Sequence, residues 1–157
     1  MAKKIDPLNK KHYSAVSAML NVADIKAAVV FYQKAFGFEK KSIMKGPDGK
    51  FMHAELTLRG TTLMLGPENP ARGARSAKTL GGSAATLYLM VESADKVFAK
   101  AVKLGASVVM PVMDMFWGDR CAIVADADGN AWMISTHVAE PTPEEMGKKM
   151  KEQAAAA

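Results

Sequence analysis

Apolar and polar positions follow two alternating periods along this chain, first that of a strand and then that of a helix. An apolar, β-branched run over residues 13–22 predicts a strand, and Asp24 after it can cap a helix. Gly37 supplies the helix stop. Between Asp24 and Gly37, apolar residues recur at steps of four, three and four, which places them on one face of the helix: Ile25, Val29, Tyr32 and Phe36.

The same order of elements occurs twice. Three further strands are predicted in the first half, over 38–44, 51–58 and 61–65. The second half repeats the order, with a helix capped by Ser93 after the first of the strands over 85–91, 107–112, 121–125 and 131–136. An offset of 69 residues relates Val22 to Val91 and Gly60 to Gly129. An internal repeat of this kind defines the architecture, and it predicts an α+β fold of two tandem βαβββ modules.

Composition is that of one compact domain. The 157 residues are 49% apolar and 24% charged, which is ordinary for a globular protein. We expect a basic N-terminal tail over 1–12, a single domain over 13–138, and a C-terminal helix and tail over 139–157. Within the domain, the loop 66–83 joins the modules 13–65 and 84–138, either as a simple linker or as a functional segment.

Charge and cysteine content exclude several classes of function. Much of the net charge of +5 lies in the tail, without the basic and aromatic stripe of a nucleic-acid-binding face. No apolar stretch approaches the roughly 20 residues of a membrane span, and Cys121 has no disulfide partner. We therefore expect a cytoplasmic protein that binds neither nucleic acid nor membrane.

His53 and Glu55 are the first candidate site. Two positions apart on a predicted strand, they share one face, and the apolar residues Ala54, Leu56 and Leu58 share the other. The pair could hold a ligand by hydrogen bonds, transfer a proton or form half of a metal site. An ion pair at the surface or in a dimer interface is the equally weighted alternative.

The segment 113–120 is the second candidate. Its methionine and aromatic side chains can form an adaptable apolar wall. We expect Trp117 and Arg120 at the rim of a cavity, and Asp119 in a structural pair with the arginine. Trp132 is expected to point away from the cavity, into the helix layer or a dimer interface.

Four phrases together resemble a known superfamily. They are the residues 31–38, 53–56, 116–120 and 126–130, with sequences FYQKAFGF, HAEL, FWGDR and DADGN. In order and spacing they resemble the vicinal oxygen chelate superfamily of glyoxalases, bleomycin resistance proteins and dioxygenases, and within it the PhnB-like branch. The resemblance implies curved mixed sheets around a ligand cavity, and a homodimer.

The enzymes of this superfamily hold one divalent metal through the first and last strands of each module. Those positions fall here on Ser17, Met64, Thr86 and Met133. Hydroxyls and thioethers are poor ligands for such ions, so the sequence predicts neither a metal nor another cofactor. The favoured function is a metal-free protein that binds a small, partly apolar organic molecule. The alternative is a lyase, isomerase or dioxygenase, metal-dependent or acid–base, that uses His53 and Glu55. The expected ligand contacts are Ser17, Met19, His53, Glu55, Met64, Thr86, Tyr88, Trp117, Arg120 and Met133.

Overall fold

The computed structural model describes residues 6–9, 11 and 13–155. Contacts divide the chain into two compact units, residues 1–81 and 82–157. Most of the expected basic tail lies outside the described residues, and a single domain over 13–138 stays a prediction. In the described part of the chain, no helix combines the length and apolar character needed to cross a membrane.

The first unit is a four-stranded mixed sheet with one long helix. Its strand order is β1-β4-β3-β2, with β1 parallel to β4 and the other pairs antiparallel. The elements are β1 (Ala18–Val22), α1 (Ile25–Phe36), β2 (Glu39–Lys45), β3 (Phe51–Leu58) and β4 (Thr61–Pro67). The predicted βαβββ order is therefore confirmed.

The first strand begins five residues later than predicted. Within the described residues, strand β1 pairs with β4, from Ala18 opposite Leu63 to Val22 opposite Pro67. The apolar pattern of 13–17 is not part of this ladder. Tyr13 instead directs its hydroxyl to Glu55 on β3.

The loop after β4 is held by hydrogen bonds between its own residues. It contains a 3₁₀ turn at Pro70–Arg72 and the short helix α2 (Ala77–Leu80). The Glu68 carboxylate accepts hydrogen bonds from the Ser76 backbone N–H at 2.7 Å and the Thr79 hydroxyl at 2.6 Å. The segment between the modules therefore has internal structure, and whether it is a linker or a functional loop stays open.

The second unit repeats the topology of the first. Its sheet has the order β5-β8-β7-β6, with β5 parallel to β8 and the remaining pairs antiparallel. The elements are β5 (Thr86–Met90), α3 (Ala94–Lys103), β6 (Ser107–Asp114), β7 (Asp119–Ala125), β8 (Ala131–His137) and α4 (Pro143–Ala155). Thr142 and Glu145 form a capping box at the start of the last helix. The backbone N–H of each residue donates to the side-chain oxygen of the other.

Each sheet packs one face against its helix. In the first unit all four residues of the α1 stripe are buried, and Leu56 and Leu65 on the facing strands are 0% exposed. Fully burying one such side chain stabilises the fold by about 1.5–3 kcal/mol. Gly37 ends the helix at a φ of 80°, a left-handed conformation in which glycine has no Cβ to clash.

The second core forms in the same way but uses smaller helix residues. Ala94 and Ala101 are the buried residues of α3, and they face the fully buried Val124 and Ile134. Trp132 is 3% exposed on this helix side, where its indole N–H donates to Asp126 at 3.0 Å. The expectation that Trp132 points into the helix layer is confirmed.

Candidate functional site

The face of the first sheet opposite α1 carries the first group of predicted site residues. The strand registers place Met19 opposite Met64, and Met64 opposite Glu55. Side chains in directly opposed positions lie on one face about 5 Å apart. His53, two residues from Glu55, shares this face, and Ala54 lies on the helix side at 0% exposure. The predicted division of the two faces of β3 is confirmed.

Glu55 is the centre of a polar cluster on this face. The Tyr13 hydroxyl donates to Oε1 at 2.9 Å, and the Lys41 ammonium pairs with Oε2 at 2.9 Å. His53 Nε2 lies 3.6 Å from Oε1. Lys41 Nζ also lies 4.0 Å from the centre of the Tyr13 ring, in a cation–π geometry.

These contacts keep Glu55 ionised and tightly held. The side chain is 13% exposed. The hydrogen bond from Lys41 is the main cause that lowers the pKa of Glu55 below its usual value, against an opposing effect of burial. The same bond raises the pKa of Lys41. A carboxylate stabilised in this way is a weak base, so it is better suited to holding its neighbours than to abstracting a proton.

The sequence did not identify Tyr13 and Lys41 as parts of this cluster. Lys41 occupies an irregular position of β2, because the pairing with β3 shifts between Lys40 and Ser42. Such a shift changes which face a side chain takes. Nothing in the run Lys40-Lys41 distinguishes the two lysines beforehand.

We call the face of each sheet opposite its helix the open face. On the open face of the second sheet, the side chain of Tyr88 reaches across the neighbouring strands. Tyr88 lies opposite Met133 on β8, which lies opposite Ile123 on β7. The Tyr88 hydroxyl nevertheless reaches Asp119 at the start of β7, donating to Oδ2 at 2.6 Å. It also lies 3.0 Å from the Ser135 hydroxyl, which is 0% exposed. Tyr88 as a whole remains 51% exposed.

Asp119 is surrounded by a cluster of five side chains of this unit, four of which it contacts directly. Its Oδ2 accepts from the Trp117 indole N–H at 3.1 Å and from the Ser135 hydroxyl at 3.1 Å, besides Tyr88. Its Oδ1 lies 2.7 Å from His137 Nδ1. The fifth residue is Cys121, which lies 3.1 Å from the Ser135 hydroxyl and is joined to Asp119 through it.

The pKa values follow from this arrangement. Burial alone raises the pKa of Asp119, but the hydrogen bonds from Tyr88, His137, Trp117 and Ser135 outweigh it and lower the pKa to about 2. Burial, and next the bond to Asp119, raise the pKa of Tyr88 to about 12. Asp119 is thus a poor base and Tyr88 a poor nucleophile near neutral pH. The cluster fixes side chains in place, including the two predicted site residues Tyr88 and Trp117.

Arg120 is placed differently from the expectation. Its guanidinium lies on the helix side, 2.8 Å from Asp95 on α3 and 3.0 Å from Asp114. Successive strand residues point to opposite faces, so Arg120 faces away from its neighbour Asp119. The expected structural Asp119–Arg120 pair is therefore wrong, and the structure does not bring Arg120 to the open face.

His137 is a further residue of this cluster and is not among the predicted ligand contacts. It has the same strand parity as Met133 and Ser135 on β8, which places it on the open face. That alternation could have identified it. Its contact with Asp119 depends on the pairing of Asp119 with His137 across β7 and β8.

The inherited metal positions do not fit a divalent ion. Ser17 precedes β1, Thr86 begins β5, and the other two positions are the thioethers Met64 and Met133 on the two open faces. Oxygen- and nitrogen-preferring ions are not held by such donors. Over the described ranges, no three His, Cys, Asp or Glu side chains gather as a metal site.

Comparison with known proteins assigns the family. The model of the Glyoxalase/Bleomycin resistance protein/Dioxygenase superfamily matches residues 12–134. The chain belongs to this superfamily. An uncharacterized protein of Mycobacterium tuberculosis is 37% identical over 142 residues, which cover 88% of this chain and 84% of the relative. A Mycobacterium bovis protein, also uncharacterized, has the same identity over 88% of this chain and 93% of its own length.

Three solved structures have a similar fold. TioX from Micromonospora sp. ML1 is 26% identical, with a TM-score of 0.63 over 80% of this chain and 99% of TioX. An Arabidopsis thaliana gene product is 26% identical, with a TM-score of 0.64 over 78% and 98% of the two chains. The fosfomycin resistance protein FosX from Listeria monocytogenes shares 15% identity, with a TM-score of 0.60 over 85% and 97%, a likeness of fold alone.

Proposed function

We propose that this member of the superfamily is a metal-free protein that binds a small, partly apolar organic molecule against the open faces of its sheets. The observation that carries the proposal is the chemistry of those faces. Where the superfamily's enzymes hold a metal, this chain presents methionine and hydroxyl side chains. Methionine is an unbranched, polarisable side chain that adapts to varied apolar ligands.

The solvent exposure of apolar side chains on these faces supports the binding of a ligand that would cover them. Met19 is 58% exposed, and Tyr88 is 51% exposed. On the first sheet Met19 lies opposite Met64, so two apolar side chains adjoin there, and adjoining apolar side chains open to solvent are typical of binding surfaces. The Glu55 and Asp119 clusters hold polar groups beside them, which would orient the ligand. We extend the proposal to a homodimer and to the PhnB-like branch, on the resemblance of the sequence phrases.

An acid–base enzyme is the second candidate. The approach of His53 to Glu55 within 3.6 Å favours it, because a histidine beside a carboxylate can transfer protons. Against it stands the Lys41 contact, which lowers the pKa of Glu55 and weakens it as a base. As a metal site the pair is also incomplete, because His53 and Glu55 supply two ligands and a catalytic metal needs three or four.

Metal content and dye binding test the proposal together. We expect elemental analysis of untagged protein to find far less than one divalent ion per chain, and divalent ions to leave the melting temperature unchanged. About one ion per chain would overturn the metal-free part. For binding, the fluorescent probe 8-anilinonaphthalene-1-sulfonate, an apolar dye with one charge, serves as the surrogate ligand.

Methionine variants locate the dye. Met64→Ala removes a side chain of the first open face, and Met150→Ala is the matched control on α4, where Met150 is 49% exposed. We expect Met64→Ala to weaken dye binding at least several-fold and Met150→Ala to leave it unchanged. Equal effects of the two changes, or no saturable binding to the folded protein, would contradict the proposal.

A further inference from the structure

His137 lies between two carboxylates. Its Nδ1 is 2.7 Å from Asp119 Oδ1, and its Nε2 is 2.9 Å from Glu140 Oε1. A carboxylate oxygen only accepts hydrogen bonds, so both ring nitrogens must carry a hydrogen for both contacts to form. A neutral ring has one N–H, and its other nitrogen would turn a lone pair toward a carboxylate. The geometry is therefore that of an imidazolium.

Asp119 connects this ring to the open face of the second sheet. Its other oxygen accepts from the Tyr88 hydroxyl at 2.6 Å and the Trp117 indole N–H at 3.1 Å. The residue is 7% exposed, so water has little access to replace a partner that weakens. A change in the His137–Asp119 bond therefore reaches both aromatic side chains through one carboxylate.

We infer that His137 is a protonation-dependent positioning residue, whose imidazolium fixes the Asp119 carboxylate and, through it, the Tyr88 hydroxyl and the Trp117 ring. When the ring loses its proton, the Glu140 contact is lost, and the bond to Asp119 joins a neutral donor to the carboxylate instead of two opposite charges. The aromatic wall of this face is then held less tightly. The consequence for ligand affinity rests on the proposed function, whereas the change in the aromatic side chains does not.

The surroundings of His137 give the direction of the pH dependence. Asp119 faces it from β7 and Glu140 from the segment after β8, and Tyr88 from β5 meets the same Asp119 carboxylate. The bond with Asp119, and next that with Glu140, raise the pKa of His137 above its usual 6.5. The fixed arrangement is therefore complete below pH 6.5 and is lost as pH rises through the raised pKa of His137.

The backbone around His137 does not depend on its charge. The Gly118 carbonyl accepts from the backbone N–H groups of Val138 and Ala139, each at 3.0 Å. These bonds tie the turn before Asp119 to the segment after His137. Deprotonation should therefore alter side-chain positions without unfolding the unit, which makes a spectroscopic signal the suitable readout.

The two tryptophans of the chain can be separated for this test. In a Trp132→Phe background, Trp117 is the only source of indole emission. Trp117 emission and the imidazole proton shifts of His137 in NMR would be followed from about pH 5 to 9. We expect both to change with one midpoint above pH 6.5.

Variants decide whether the two signals are linked. Glu140→Gln removes one of the two carboxylates at a side chain that is 90% exposed, so folding should be intact and both midpoints should fall together. His137→Gln should abolish the pH-dependent change in emission. A constant Trp117 emission while His137 titrates, or a His137 midpoint at or below 6.5, would overturn the inference.

Dye binding separates this inference from the proposed function. If the aromatic wall contacts the ligand, the affinity for 8-anilinonaphthalene-1-sulfonate should fall over the same pH interval in the wild type and not in His137→Gln. A pH-independent affinity together with the linked spectroscopic change would overturn the effect on binding and retain the positioning role of His137.

Discussion

Replacing Asp119 by asparagine should be among the most damaging isosteric changes in this protein. The carboxylate is 7% exposed and accepts hydrogen bonds on both oxygens. Asparagine keeps the shape but offers one acceptor oxygen and one NH₂ group. Whichever way the amide turns, its NH₂ meets a donor, either the His137 imidazolium or the Trp117 indole N–H.

The size of the effect follows from the pKa of Asp119. It falls from an ordinary 3.8 to about 2 in the folded protein. At about 1.4 kcal/mol for each tenfold change in proton affinity, the ionised carboxylate stabilises the fold by about 2–3 kcal/mol. A donor left without an acceptor adds about 1 kcal/mol. We expect Asp119→Asn to lower the free energy of unfolding by about 3–4 kcal/mol at pH 7.

The pH dependence of this loss has a defined sign. Because folding lowers the pKa of Asp119, its contribution is complete above pH 3.8 and disappears as pH falls toward 2. The difference between wild type and variant should be constant from about pH 6 to about pH 5, where Asp119 is ionised and the His137 ring, whose pKa Asp119 raises, is protonated. At about pH 3 it should be smaller by about 1 kcal/mol.

Urea denaturation followed by far-ultraviolet circular dichroism gives the free energies. Asp95→Asn is the matched control, because Asp95 also pairs with a cation, Arg120, but its side chain is 54% exposed. Pairs at the surface contribute little, so its loss should be clearly smaller. A loss in Asp119→Asn no larger than in Asp95→Asn, or one that does not shrink in acid, would refute the reasoning.

Three further substitutions test other parts of the fold. Gly118→Ala should lower the free energy of unfolding by more than about 3 kcal/mol, because its φ is 98° and a Cβ would collide with the Ala139 carbonyl oxygen. Gly147→Ala, where nothing lies within 4 Å, should be neutral or stabilising by up to about 1 kcal/mol, and equal melting temperatures for the two variants would contradict this account. Glu55→Gln should cost about 1–2 kcal/mol in urea denaturation, since it removes the charged partner of Lys41. Since the pKa of Glu55 is lowered by folding, that difference should shrink as pH falls below 4.5, and a loss that grows in acid would count against it.

Much of the fold could be predicted because its signals are local. Helix α1 and its stripe, the stop at Gly37 and the strand β3 follow from spacing and turn residues within a few positions of each other. The repeat then indicated the second unit. Apolar character alone identifies the covered face of α3 less well, because the larger Val102 is 36% exposed whereas the small Ala94 is buried. Helix periodicity gives a face, but the sheet decides how far that face is covered.

The sequence by itself determined which side of a regular strand a residue occupies, and that was enough to place His53 and Glu55 together. It did not determine which residues meet across strands. Tyr13 and Glu55 are 42 positions apart, Arg120 and Asp95 are 25 apart, and His137 and Asp119 are 18 apart. Those pairings depend on strand register, on the irregular step in β2 and on the parallel return of β1 and β5 to the last strand of each unit. Alternation is a property of the local chain, whereas register is fixed only when the sheets assemble, and register is what built the Asp119 cluster.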